Sequence, residues 1–442
     1  MFSNSRPAVV ACATAGLILA FVVPARGESP THVPPETLVV ARPAPQPSGV
    51  LTLDQTLALA AGHHPRLRGA AWRLRAATAR RAGAGRMRNP TASFDVENFG
   101  GDAGNDFYEA TAALGQTIEL GGDRGARAGV AEAAERVAWT ELSAEERAVL
   151  AEVAERYLRT WELQQRVHQL TEAERLAERS IAAAAERFRA GAGPAVEQTR
   201  AEALQAQRRS ERIRALADLS ASRQRLAAVW GGAEAHFDSL ALAAPRRVEL
   251  PPPADLDTLL AQHPRQQSAA AGIGLDDARV REARAARVPD LDLSGGIRRL
   301  GAGETTTFVV GASIPLPLWN PQRGGVDAAE AERQAASARA QDVALELRGS
   351  LRAAVEHYQA AQESYELVAG TLVPRSEEVV RQLTAGYRSG RFSSLEYLEG
   401  QRSLLDAELQ SIDAAADSWR ARLALERLLG RSVEELGRGG GK

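Results

Sequence analysis

The chain has 442 residues, 44% of them apolar but only 5% aromatic, with a formal net charge of −2 at pH 7 and a single cysteine. Near-neutral charge leaves no electrostatic basis for nucleic-acid binding, and one cysteine excludes a disulfide framework. So few bulky side chains argue against a deep globular core and for long helices packed through small residues.

Arg6 precedes an apolar run from Ala8 to Val23, followed by "PARGES". That order of charge, apolar stretch and small residues predicts a signal peptide over residues 1–25. The run is short for a membrane-spanning helix. "VVAC" at 9–12 also resembles a lipobox, although little apolar sequence precedes Cys12. Residues 26–50 are Pro-rich and are expected to form an extended, weakly ordered leader.

From there the elements repeat. A helix is expected over 52–86, capped by Thr52 or Asp54 and stopped by "GAGRMRNP". A β-hairpin at 90–120 follows, then a long helix at 123–190 ending in "RAGAG", and a helix at 194–230 with Pro194 at its start. The second set is a helix at 254–287, a hairpin at 289–317, a long helix at 322–388 and a helix at 392–430, with a flexible tail at 432–442. Pro65 and Pro264, Pro90 and Pro289, Gly191 and Gly390, and Gly231 and Gly430 all stand 199 residues apart. Matches at one offset over the whole length make the chain two copies of one unit, 51–250 and 251–431. Each long helix would reach about 100 Å and must pack in a bundle or coil. Pro374 interrupts the second, where the first has Arg175, so a kink is expected in one copy only.

The hairpins alternate. In the strand expected at 107–120, Tyr108, Ala110, Ala112, Leu114, Ile118 and Leu120 share one face, while Glu109, Thr111, Gly115, Thr117 and Glu119 share the other. Over 305–317 the apolar face is Phe308, Val310, Ala312, Ile314 and Leu316. Such strands suit a membrane barrel, or a soluble sheet lying on the bundle. Two hairpins supply four strands, too few to close, and lipid tolerates no open edge. A barrel therefore has to be shared between protomers, with 100–106 and 299–304 as its extracellular hairpin loops.

"LTLDQTLALAAGHHP", the duplicated helix–hairpin–long helix–helix unit and the Gly-marked turns resemble the TolC-like outer-membrane factors, over residues 51 to about 431. "ENFGG" (97–101), "QTIELGGDR" (116–124) and "SIPLPLWNPQRGG" (313–325) resemble the CzcC-type heavy-metal branch, which serves RND cation pumps. The resemblance implies a mainly α fold with a membrane β-barrel: a homotrimer whose four strands per protomer make a twelve-stranded barrel in outer-membrane lipid, over a periplasmic α-helical tunnel. It also implies docking to a periplasmic adaptor protein and an inner-membrane RND transporter, with export of heavy-metal cations. Drug efflux and type I protein secretion use the same component. A structural periplasmic coiled-coil protein is the alternative of another class.

The turns "RFRAGAGPAVEQTR" (187–200) and "GYRSGRFSSLEYLEG" (386–400) share an aromatic-x-x-Gly pattern. Gly191 and Gly390 suit left-handed helix caps, and similarity to the family's periplasmic tip adds adaptor docking by Phe188, Gly191, Tyr387 and Gly390. Glu197 and Glu396 stand six residues after each glycine, and Glu399 three further on, one helical face from Glu396. In a trimer each acid would form a ring of three carboxylates favouring cations at the narrow entrance. Arg200 at the position matching Glu399 is expected to neutralise Glu197. Histidines 32, 63, 64, 168, 236, 263 and 357 show no metal-ligand spacing beyond the adjacent His63–His64 pair, which suits a helix cap better. No cofactor motif and no nucleophile–base constellation occurs, so the chain is not expected to be an enzyme.

Overall fold

The computed structural model describes residues 45–97, 109–250, 252–300, 305–319 and 322–430. The signal peptide, Cys12, the loop at 100–106 and the tail lie outside them. Arg299 and Leu300, expected in a loop, instead end a strand and pair with Ala110 and Glu109.

The helix expected over 52–86 is two helices, α1 (Leu53–His63) and α2 (Pro65–Ala84). A proline ring crowds the residue before it out of the α region, and His64 accordingly sits at φ −64°, ψ 127°. Its Nδ1 accepts the Arg66 N–H at 3.2 Å, capping the second helix. The same break separates α5 (Pro253–Leu260) from α6 (Pro264–Ala285), where His263 Nδ1 accepts the Arg265 N–H at 3.1 Å. Thr52 caps α1 in a reciprocal capping box with Gln55.

The end of the expected leader is ordered. Strand β1 (Gly49–Thr52) pairs in parallel with β4 (Phe237–Ala241), which lies in the connection between the two halves. The buried Tyr157 hydroxyl is 2.9 Å from the Leu51 carbonyl and 2.7 Å from that of Ala241, tying both strands to the long helix α3 (Asp123–Arg189). Leu51, Leu240, Phe237 and Trp230 join Val149, Val153 and Tyr157 in one core at mid-length of the bundle. A second core gathers Leu347, Leu351, Tyr358, Leu425 and Leu429 around the other half.

Helix α3 runs unbroken for 67 residues, about 100 Å. It packs on α2 and α6 toward the sheet, and on α4 (Ala195–Ala227) and α9 (Ser394–Leu429) elsewhere. Its counterpart is interrupted. Helix α7 (Arg323–Leu367) passes through a π turn at Val368–Leu372 into α8 (Val373–Arg388). Pro374 has no N–H to offer the preceding turn, and a widened turn accommodates the loss.

The other four strands form one antiparallel sheet in the order β2 (Thr91–Glu97), β3 (Glu109–Ile118), β5 (Leu291–Leu300), β6 (Thr305–Ser313). Register aligns Phe94, Ala112, Ile297 and Phe308 in one row across all four strands. One residue along, Asp95, Thr111, Arg298 and Thr307 form the next row, on the opposite face. One face is therefore mostly apolar at mid-strand and the other mostly polar, with Arg299 and Thr306 at the end of the apolar face. Phe308 is 89% exposed on the apolar side. On the polar side Arg298 donates to Glu109 at 2.9 Å and to the Thr111 hydroxyl at 3.0 Å. Among the described residues, β2 and β6 have no strand on their outer edges.

Candidate functional site

The end of the bundle remote from the sheet holds both helix-to-helix turns. Gly191 (φ 67°) and Gly390 (φ 76°) adopt the left-handed conformation there. In each turn the next N–H closes onto the helix, Ala192 to the Arg187 carbonyl and Arg391 to that of Gly386, both at 2.8 Å. These are helix caps in which a β-carbon would be strained.

The two turns are joined through Arg187. Its guanidinium donates to the Tyr387 carbonyl and to that of Ala192, each at 2.9 Å, and lies 4.7 Å above the Tyr387 ring. The Tyr387 hydroxyl donates to Glu197 Oε2 at 3.0 Å, and Arg187 Nε stands 3.5 Å from the same oxygen. Tyr387 also stacks on Tyr397 with centroids 5.0 Å apart and planes 9° from parallel. Burial, reinforced by the Glu197 carboxylate, pushes the Tyr387 phenol up to about 12. The cationic partner of Glu197 is thus Arg187, and not Arg200 as expected. A turn that carries arginine at 187 carries glycine at the matching 386, and there Phe392 covers the space instead.

Glu396 is engaged differently. Ser393 caps α9, and Glu396 Oε2 accepts from both the Ser393 N–H and its hydroxyl at 2.8 Å. These donors hold the carboxyl below the usual glutamate range. Glu396 and Glu399 are exposed, while Glu197 is half-buried. Phe188 is half exposed, whereas Tyr387 is buried. Of the residues expected at the tip, the structure therefore brings Glu197 and Tyr387 into contact, and leaves Phe188, Glu396 and Glu399 facing solvent. Arg187 and Tyr397 are contributors that sequence reasoning missed: the Arg187 contact to Tyr387 spans 200 residues, and Tyr397 meets Tyr387 only because α8 and α9 fold back on each other.

His63 and His64 are occupied locally: His63 Nδ1 is 3.1 Å from the Leu59 carbonyl, and His64 caps α2. No group of three or more His, Cys, Asp or Glu side chains suited to holding a metal ion occurs among the described residues.

The sequence matches the family model "Outer membrane efflux protein" over residues 56–232 and 256–431. The chain belongs to that family. This efflux protein is 30% identical to the cobalt-zinc-cadmium resistance protein CzcC of Cupriavidus metallidurans, over 94% of the chain and 98% of that protein. It is 29% identical to the nickel and cobalt resistance protein CnrC of the same organism, over 70% of the chain and 73% of the relative. In fold the efflux protein is similar to CusC, a transmembrane-channel protein of known crystal structure, with a TM-score of 0.75 at 17% identity over 93% of this chain and all of that one. Its location is accordingly the outer membrane, with the helical body extending into the periplasm.

Proposed function

We propose that this protein is the outer-membrane channel of a tripartite efflux system exporting heavy-metal cations, assembled as a trimer with a periplasmic adaptor and an inner-membrane RND transporter. The observation that carries the substrate class is the 30% identity to CzcC over nearly the full length of both chains. The sheet supports the assembly. Its apolar face suits lipid, its polar face suits a water-filled lumen, and its two open edges need partners that only other copies supply. The two halves, 51–250 and 251–431, act as repeats, so a trimer would carry six similar units around the tunnel. At the narrow end Glu197, Glu396 and Glu399 form the acidic entrance, and Phe188, Gly191 and Gly390 the surface that meets the adaptor, held in place by the buried Tyr387. In a strain lacking this chain, cobalt, zinc and cadmium should accumulate, and its expression should restore tolerance. Unchanged metal tolerance together with new drug sensitivity would replace this reading with drug efflux.

A further inference from the structure

A cavity of about 950 Å³ opens at mid-length of the bundle, between α3, the start of α6, α7 and α9. Its charged lining is uneven. Arg265 is already bound to Glu346 through two bonds of 2.9 and 2.6 Å. Arg420 is bound to Glu162 at 2.7 Å, Asp417 at 2.8 Å and Glu155 at 3.0 Å. Both acids that line the cavity are therefore committed to other arginines. The Arg147 and Arg427 side chains make no hydrogen bond or ion pair among the described residues. Arg147 is half-buried, and a β-carbon on Gly430 would come within 3.0 Å of both its terminal nitrogens. Burial disfavours its charged form, against the nearby Glu146, which favours it.

His263 adds a third donor. Burial and the charges of Arg147, Arg265 and Arg427 bring its pKa down to about 4, so the ring is neutral at pH 7. Its Nδ1 accepts from the Arg265 N–H, which leaves the ring proton on Nε2. Three side-chain donors that have no protein acceptor among the described residues thus meet one cavity.

We propose that this cavity is an oxyanion site, taking one carboxylate or phosphate group against Arg147, Arg427 and the Nε2–H of His263. The fork of a guanidinium matches two oxygens of either group. The oxygens can come from a free anion or from an acidic side chain of a second copy of this chain.

Calorimetry on the full-length, detergent-extracted assembly, with inorganic phosphate titrated at fixed ionic strength in chloride, separates the sources. A free anion predicts saturable phosphate binding that weakens about tenfold or more in both Arg147→Lys and Arg427→Gln. A carboxylate from a second copy predicts no phosphate binding to the wild-type assembly. In that case Arg427→Gln should raise the concentration at which the assembly dissociates by about tenfold, and separated wild-type copies should bind phosphate. Arg427 is exposed, so its substitution leaves the core intact, and Arg147→Lys keeps charge while removing the fork. Phosphate binding equal in wild type and both variants, or no binding with unaltered assembly in Arg427→Gln, would overturn the site.

Discussion

Replacing Tyr387 by Phe removes one bond at the tip and little else. The ring keeps its stack on Tyr397 and its place under Arg187. What disappears is the 3.0 Å bond from the phenol to Glu197. A hydrogen bond to a charged group contributes about 1.5–3 kcal/mol. Glu197 would still have Arg187 at 3.5 Å, so the lower end applies. About 1.5 kcal/mol is a roughly tenfold gain in the population with the two turns apart. If these turns close the tunnel, single-channel recordings in planar bilayers should show opening events about tenfold more often. The pH dependence follows from the phenol. Its pKa rises on folding, from the ordinary 10 to about 12. A raised folded value gives stability that is fully present below 10 and lost as pH climbs toward 12. Opening should therefore be flat from pH 7 to 9 and increase above 10 in the wild type, with that increase absent in Tyr387→Phe. Wild-type opening frequency in the variant, together with unaltered amide exchange over 187–200, would refute the idea that this bond holds the tip.

Glu396→Gln with Glu399→Gln should lower cation preference in the same recordings while leaving the fold intact, because glutamine still serves the Ser393 capping box; unchanged selectivity would make both ordinary solvated residues. Glu396→Ala should in addition loosen the first turn of α9, read by amide exchange. Phe308→Lys should impair membrane assembly, at about 2–4 kcal/mol for a charge facing mid-bilayer lipid, whereas Thr307→Lys on the polar face should assemble; equal yields of extracted oligomer would argue against a lipid-facing apolar side. Tyr157→Phe leaves the Leu51 and Ala241 carbonyls without their shared donor, and thermal unfolding should register a loss of about 1–3 kcal/mol.

Elements with a strong local signature were legible in the sequence. The sheet faces follow from alternation, and each long helix from an Ala-, Leu- and Glu-rich run between glycine-marked ends. The breaks at His64 and His263 were present as His-Pro pairs, yet a continuous helical pattern on both sides concealed them. Strand β4 had no such signature: five residues, paired in parallel with a segment nearly the whole first half away. The tip shows most clearly where a repeat offset misleads. Glu197 and Glu396 occupy matching positions, but Pro194 offers no side-chain cap where Ser393 does. Glu396 therefore turns back onto its own helix. The Tyr387 hydroxyl draws Glu197 toward the other turn, and nothing local to either residue announces that pairing.

The four strands of the sheet alternate in direction, so its two open edges run antiparallel to each other. One copy's β2 can thus continue another's β6 with the alternation unbroken, and the next copy can do likewise. The contact is head-to-tail, and a ring of any size preserves it. Strand direction places no limit on how many copies join. In the proposed ring that number would be set by the tilt and stagger of the strands together with the angle at which neighbouring helical bodies meet. On the proposed assembly, substitutions along the outer faces of α3 or α7 would alter stoichiometry through the helical contacts, and changes within the strands would do so only through tilt and stagger.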